Sequence, residues 1–183
     1  PPVNVLVCDV TDDTEFNRLA ARLTAALRVR TLHETVLRRQ SETALSSRPE
    51  GDPLQDATAL LVGRSATYPA LSVATGQHIG VIGALSIEAA ARHLNVRDID
   101  GIILGEGFSP RMTDAFLTVL TEDARFRNLP VVIASGAGNA KFTHDLANLE
   151  IAHGSADEIV ATALPLIRQH ALEARLVRKL KSL

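Results

Sequence analysis

From Ala59 onward, continuous apolar runs alternate with amphipathic ones. Ala59 to Gly63, His78 to Leu85, Gly101 to Leu104, Val131 to Ser135 and Leu149 to His153 read as strands. Tyr68 to Thr75, Ile87 to Leu94, Pro110 to Phe126, Lys141 to Leu146 and Ala156 to the end carry helical spacing. Strands that are apolar throughout are buried on both faces, so this rhythm predicts a mostly parallel sheet with helices on each side.

The first third is less regular. Val3 to Val7 is a further short β-branched run, and Asp9, Asp12 and Asp13 follow it. Phe16, Leu19, Ala20, Leu23 and Leu27 then fall on one face of a helix. The basic stretch Arg28 to Gln40 fits either more helix or an edge strand. Residues 41–56, rich in Ser, Pro, Gly and acids, are expected to form an exposed loop. The count is therefore five or six strands, and either Val3–Val7 or Ala59–Gly63 can be the first of the main sheet.

Composition narrows the class. The chain has 183 residues, 46% hydrophobic and 22% charged, with 3% aromatic and no Trp, which describes one globular domain with an aliphatic core. A net charge of −2 offers no overall attraction to nucleic acid or anionic membrane. Cys8 is the only cysteine, so no internal disulfide framework or Cys-based zinc site can form. No apolar run approaches the ~20 residues that span a bilayer, and a cytoplasmic location is expected. The start at Pro1 without Met and the end at Leu183 read as trimmed termini of a longer protein.

In parallel α/β sheets, functional loops follow the carboxyl ends of strands. The residues there are Asp9 and Asp12, Gly63 and Arg64, Gly105 and Glu106, Ser135 and Gly136, and His153 and Gly154. Gly136 to Lys141 could cradle a phosphate, yet it matches neither the dinucleotide fingerprint nor the P-loop. The six histidines form no i, i+4 pair with a flanking carboxylate, so no metal site is expected. Ser109 before Pro110 reads as a helix cap.

The run Asp98-Ile99-Asp100-Gly101-Ile102-Ile103-Leu104-Gly105-Glu106-Gly107-Phe108-Ser109-Pro110 resembles the third strand and following loop of bacterial response-regulator receiver domains. Phe116 to Ile133, with its Leu129-Pro130-Val131-Val132-Ile133 cadence, resembles their helix leading into the fourth strand. The resemblance covers about two-thirds of the chain, most firmly Ile79 to Ile167. It implies a flavodoxin-like/receiver-like, doubly wound sheet. In that family an aspartate ending the third strand accepts a phosphoryl group, two acids after the first strand help hold Mg²⁺, and Ser/Thr and Lys complete the switch.

Here that set is incomplete. Counting forward from Asp100 puts the phosphoacceptor position at Gly105, and counting back from Pro110 puts it at Glu106. The fourth-strand hydroxyl survives as Ser135, and His153-Gly154 replaces Lys-Pro. The acid pair is reduced to Asp9, or to Gly63-Arg64 if Ala59–Gly63 is the first strand. Phosphoryl transfer relies on positioning and on neutralisation of developing charge, so losing several parts together argues against ordinary phosphorylation and against an Mg²⁺ cofactor. Glu106 is either a permanent negative charge imitating the phosphorylated state or a solvated loop carboxylate.

The run from Ala163 to Leu183 resembles the linker helix that precedes GGDEF diguanylate cyclase domains. Leu172, Leu176, Leu180 and Leu183 form a stripe at helical spacing, which either docks on the domain's own sheet or dimerises as a coiled coil. Residues 1–168 are thus expected to form the receiver-like domain and 169–183 a linker helix to a C-terminal output domain. The expected function is a non-catalytic two-component-type module that acts through a homodimer and governs an output such as cyclic di-GMP synthesis. The alternatives are a small α/β nucleotide-binding enzyme using Asp9 and Gly136 to Lys141, and a purely structural dimerisation domain.

Overall fold

Five strands, Thr58–Val62 (β1), Gly80–Ala84 (β2), Gly101–Leu104 (β3), Val131–Ala134 (β4) and Leu149–Ala152 (β5), form one all-parallel sheet in the order β2-β1-β3-β4-β5. The computed structural model describes residues 11–42, 51–135 and 144–182. Successive side chains of a strand point to opposite faces, and both faces are buried here. Ala59, Leu61, Ile103 and Val132 face a layer made by Tyr68–Gly76 (α2) and the C-terminal helix Ala156–Ser182 (α5). Leu60, Val62, Ile102, Leu104, Val131 and Ile133 face Ile87–Val96 (α3) and Pro110–Glu122 (α4). This double burial is why the central strands β1, β3 and β4 carry no polar alternation, and it is the doubly wound arrangement that the sequence predicts.

Helix starts follow local chemistry. The Ser86 Oγ accepts from the Ala89 N–H (3.1 Å), and the Ser109 Oγ accepts from the Met112 N–H (3.3 Å) with Pro110 in the first turn. Residues 144–146, part of a predicted helix, carry no regular structure, and the Lys141 end of that segment lies outside the described residues.

Among the described residues the first strand of the sheet is Thr58–Val62, the predicted Ala59–Gly63 run shifted by one residue, and the Val3–Val7 run lies outside them. What precedes β1 is a 30-residue helix, Asp13–Glu42 (α1), so the ambiguous Arg28 to Gln40 stretch is helical. Its inward side carries Arg22, Ala25, Val29, Val36 and Gln40. The face expected to seek the core points outward instead, with Phe16, Leu23 and Leu27 each more than half exposed. The expected loop at 41–56 is corrected at both ends. Ser41 and Glu42 finish α1, and Pro53–Asp56 forms a 3-10 turn that buries Leu54 against the α5 side of the sheet.

The helix α5 spans 27 residues without a break at 168. At 1.5 Å per residue it is about 40 Å long, while a strand of four or five residues covers roughly 15 Å, so its second half runs past the sheet. Along α5, Arg168 and Arg175 bond Asp52 (2.6 Å) and the Gly51 carbonyl (2.7 Å). No helix of the described residues is long and apolar enough to cross a membrane.

Candidate functional site

The carboxyl ends of β1 and β3 lie side by side because Val62 is paired with Leu104, which brings Gly63 next to Gly105. The Gly105 N–H donates to the Val62 carbonyl at 2.6 Å and the Gly63 N–H to Ala84 at 3.0 Å. A Cβ on Gly63 would stand 3.2 Å from the Tyr68 ring and 3.5 Å from the Gly105 Cα; one on Gly105 would stand 3.3 Å from the Val62 carbonyl oxygen. Glycine at both strand ends therefore lets two backbones and the Tyr68 ring close together.

Arg64 fastens the adjoining loops. Its backbone N–H donates to the Glu106 carbonyl (3.3 Å), its Nε donates to the Gly107 carbonyl (2.9 Å), and its guanidinium lies 5.2 Å from the Phe108 ring centroid. Gly107 has φ +106°, a conformation open to glycine, and a Cβ there would stand 2.9 Å from the Arg64 Cγ. Tyr68 and this clamp were not singled out in the sequence, although Arg64 directly follows a strand end.

Glu106 and Ser135 line one cavity of ≈ 410 Å³, together with Thr67, Leu71, Ser155 and Ile159. His153 is exposed and its Nδ1 lies 3.1 Å from the Ser135 carbonyl oxygen. The sheet thus brings together Gly105, Glu106, Ser135 and His153, whereas Asp9 and the Gly136 to Lys141 loop lie outside the described residues. A larger cleft of ≈ 620 Å³ opens at the opposite, amino-terminal end of β3, between α3, α5 and the loop after α4. None of the predicted site residues lines it. We place the site at the smaller cavity, since strand carboxyl ends converge there.

The start of α5 lines the rim of the cavity. The Glu158 carboxylate accepts from the Ser155 N–H at 2.6 Å while the Ser155 Oγ accepts from the Glu158 N–H at 3.3 Å, a reciprocal cap. The Ser155 backbone and hydroxyl bonds hold the Glu158 carboxyl below its ordinary range. Glu88, beside the cap of α3, is likewise held low, first by a backbone hydrogen bond, then by Ser86, and further by the charges of Arg64 and Arg92.

The leucine stripe has its own cover. Leu176 is buried, and Leu172 and Leu180 partly so, against Val29, Leu32 and Val36 of α1; Leu183 lies outside the described residues. Arg28 on α1 also bonds Glu173 (2.9 Å). Within the chain the stripe packs on α1 and not, as one of the two expectations had it, on the sheet.

No family model matches the chain, and no curated protein matches it. Solved structures do. A putative response regulator from Chloroflexus aurantiacus J-10-fl superposes with a TM-score of 0.53 at 18% identity, over 62% of this chain and 98% of that one. A response regulator receiver protein from Sinorhizobium medicae WSM419 gives 0.52 at 20% identity, over 64% and 98%. The chain has the receiver fold over about two-thirds of its length.

The Mg²⁺ that such a fold implies needs several oxygen ligands, commonly carboxylates. At the ends of β1 and β3 stand Gly63, Arg64 and Gly105, with Glu106 the one carboxylate among them and a guanidinium in the place of an acid. Among the described residues no group of three or more His, Cys, Asp or Glu is placed to hold a metal. These residues do not fit the ion.

Proposed function

We propose that the chain is a non-catalytic regulatory module of the cytoplasm, a receiver fold that has given up aspartyl phosphorylation and passes on its state by packing. Its target is an output domain carried by the end of α5, and the resemblance of that helix to GGDEF linkers suggests cyclic di-GMP synthesis. The observation that carries this reading is the contact of Gly63 with Gly105 under Tyr68, closed over by the Arg64–Gly107 bond. Glycine backbone and a guanidinium stand at the strand ends where aspartyl phosphorylation needs an aspartate and paired acids. Fixed positive charge there also repels a divalent cation.

The test is exposure of the purified chain to acetyl phosphate, and separately to beryllofluoride, with Mg²⁺. Intact mass is expected to stay unchanged and amide exchange around Gly105 to be unaffected. Stoichiometric, Mg²⁺-dependent phosphorylation would overturn the reading.

A further inference from the structure

We propose that α1 is an interface helix on which a second copy of this chain docks antiparallel. This goes beyond the regulatory reading above and does not use the leucine stripe of α5, which α1 itself covers. The observation is the outward side of α1. Phe16 is 55% exposed, Leu23 57% and Leu27 60%, and Ala20 between them is exposed as well. Their spacing of four, three and four residues is that of a coiled-coil seam, in which each such side chain packs into a hole on a facing helix.

Charge selects the occupant and its direction. Three residues beyond each end of the apolar stretch, the seam carries Asp13 at the amino end and Arg30 at the other, both exposed. In an antiparallel pair Phe16 faces Leu27 of the second copy and Ala20 faces Leu23. The same register sets Asp13 opposite Arg30, and two-fold symmetry repeats each contact. Four apolar layers are then closed at both ends by an ion pair. A parallel, in-register pair would instead set Asp13 against Asp13, Arg30 against Arg30 and Glu34 against Glu34. Arg30 now bonds Glu34 at 2.9 Å, with the two side chains 75% and 62% exposed, so exchanging that partner costs little. The opposite side of α1 remains docked on its own α5 and β5 throughout, through Val29, Val36 and the Arg22–Glu150 pair. A seam this short falls below the usual area of a permanent interface, so the dimer should be concentration-dependent.

Sedimentation equilibrium of the whole chain over a dilution series decides it, with circular dichroism to check folding. Wild type should show a monomer–dimer equilibrium. Leu23→Asp, at an exposed position, should leave the fold intact and weaken the dimer at least ~10-fold. Asp13→Arg and Arg30→Asp should each weaken it about 3–10-fold, and the two together should bring it back within about 3-fold of wild type. Three results would overturn the proposal. The first is a wild-type monomer at every concentration, as when the chain's own first residues cover the seam. The second is a dimer that Leu23→Asp leaves unchanged, which places the contact elsewhere, on α5 for instance. The third is a double reversal that fails to restore association, which excludes the antiparallel register. None of these outcomes bears on the phosphorylation test.

Discussion

The guanidinium of Arg22, on α1, pairs with Glu150 on β5 and also donates to the Leu149 carbonyl at 3.3 Å. Among the described residues β5 is an edge strand, and Arg22 ties α1 to it. Arg22 is 7% exposed, and burial lowers its pKa from the ordinary value while the opposing Glu150 charge raises it; it stays protonated.

Truncating one partner should therefore cost more than replacing the cation. Glu150→Ala strands a buried guanidinium and should destabilise the chain by about 1–3 kcal/mol. Arg22→Met fills similar space without charge, and its cost should be smaller. Urea unfolding of both variants checks the order; an equal or reversed ranking would show that the ion pair does not anchor α1.

Leu176 is the centre of the contact between α1 and α5, at 3% exposure against Val29 and Val36. Leu176→Ala leaves a cavity in a small cluster, for which about 2–3 kcal/mol is expected, the lower part of the range for such truncations. The loss should be local. Limited proteolysis should cut within residues 13–42 earlier than in wild type while the sheet stays protected. Uniform cleavage of the whole chain would mean that α1 and the core unfold as one unit.

Much of the sheet could be read from the chain because β1, β3 and β4 are short runs buried on both sides, where apolar continuity and local turns agree. Gly101 to Leu104 is bounded as the pattern predicts, and the caps at Ser86 and Ser109 rest on chemistry local to a few residues. The side of α1 that packs was not legible. Phe16, Leu23 and Leu27 outweigh Ala25 and Val29 in hydrophobicity, yet the smaller residues admit the close approach of α5, and only tertiary structure reveals that. The site was half legible. Gly105, Glu106 and Ser135 follow from strand ends, whereas the Tyr68 ring over Gly63 depends on how α2 crosses the sheet, a relationship between segments that spacing does not encode.

Gly101 opens β3 where α5 crosses closest, and a Cβ there would lie 2.5 Å from the Ile167 Cγ1 and 2.9 Å from its Cδ1. Gly101→Ala should overpack the site by about 1–3 kcal/mol. Because the clash is with one side chain, Ile167→Ala should cost less in the Gly101→Ala background than alone. A double-mutant cycle measures that coupling. Additive effects would mean that the backbone shifts to make room.

Acid should act on the start of α5. Gly154, at φ +105°, turns the chain so that the Glu158 carboxylate can reach back to the Ser155 N–H. That bond, followed by the bond with the Ser155 hydroxyl, depresses the Glu158 pKa from its ordinary value of 4.5. A carboxylate whose pKa is lower in the folded state than in the unfolded one stabilises the fold above the unfolded value. The contribution disappears as pH falls through the folded value, so the window lies below 4.5. The Ser155 amide proton shift, followed by NMR, should accordingly titrate with a midpoint below 4.5, and Glu158→Gln should abolish that titration while keeping an acceptor in place. Since the cap holds α5 at the cavity rim, the Ser135 and Thr67 resonances should follow the same midpoint in wild type and stay still in the variant. A Ser155 midpoint at or above 4.5 would show that the cap does not hold the carboxylate in solution, and the proton would then have no lever on this end of the site.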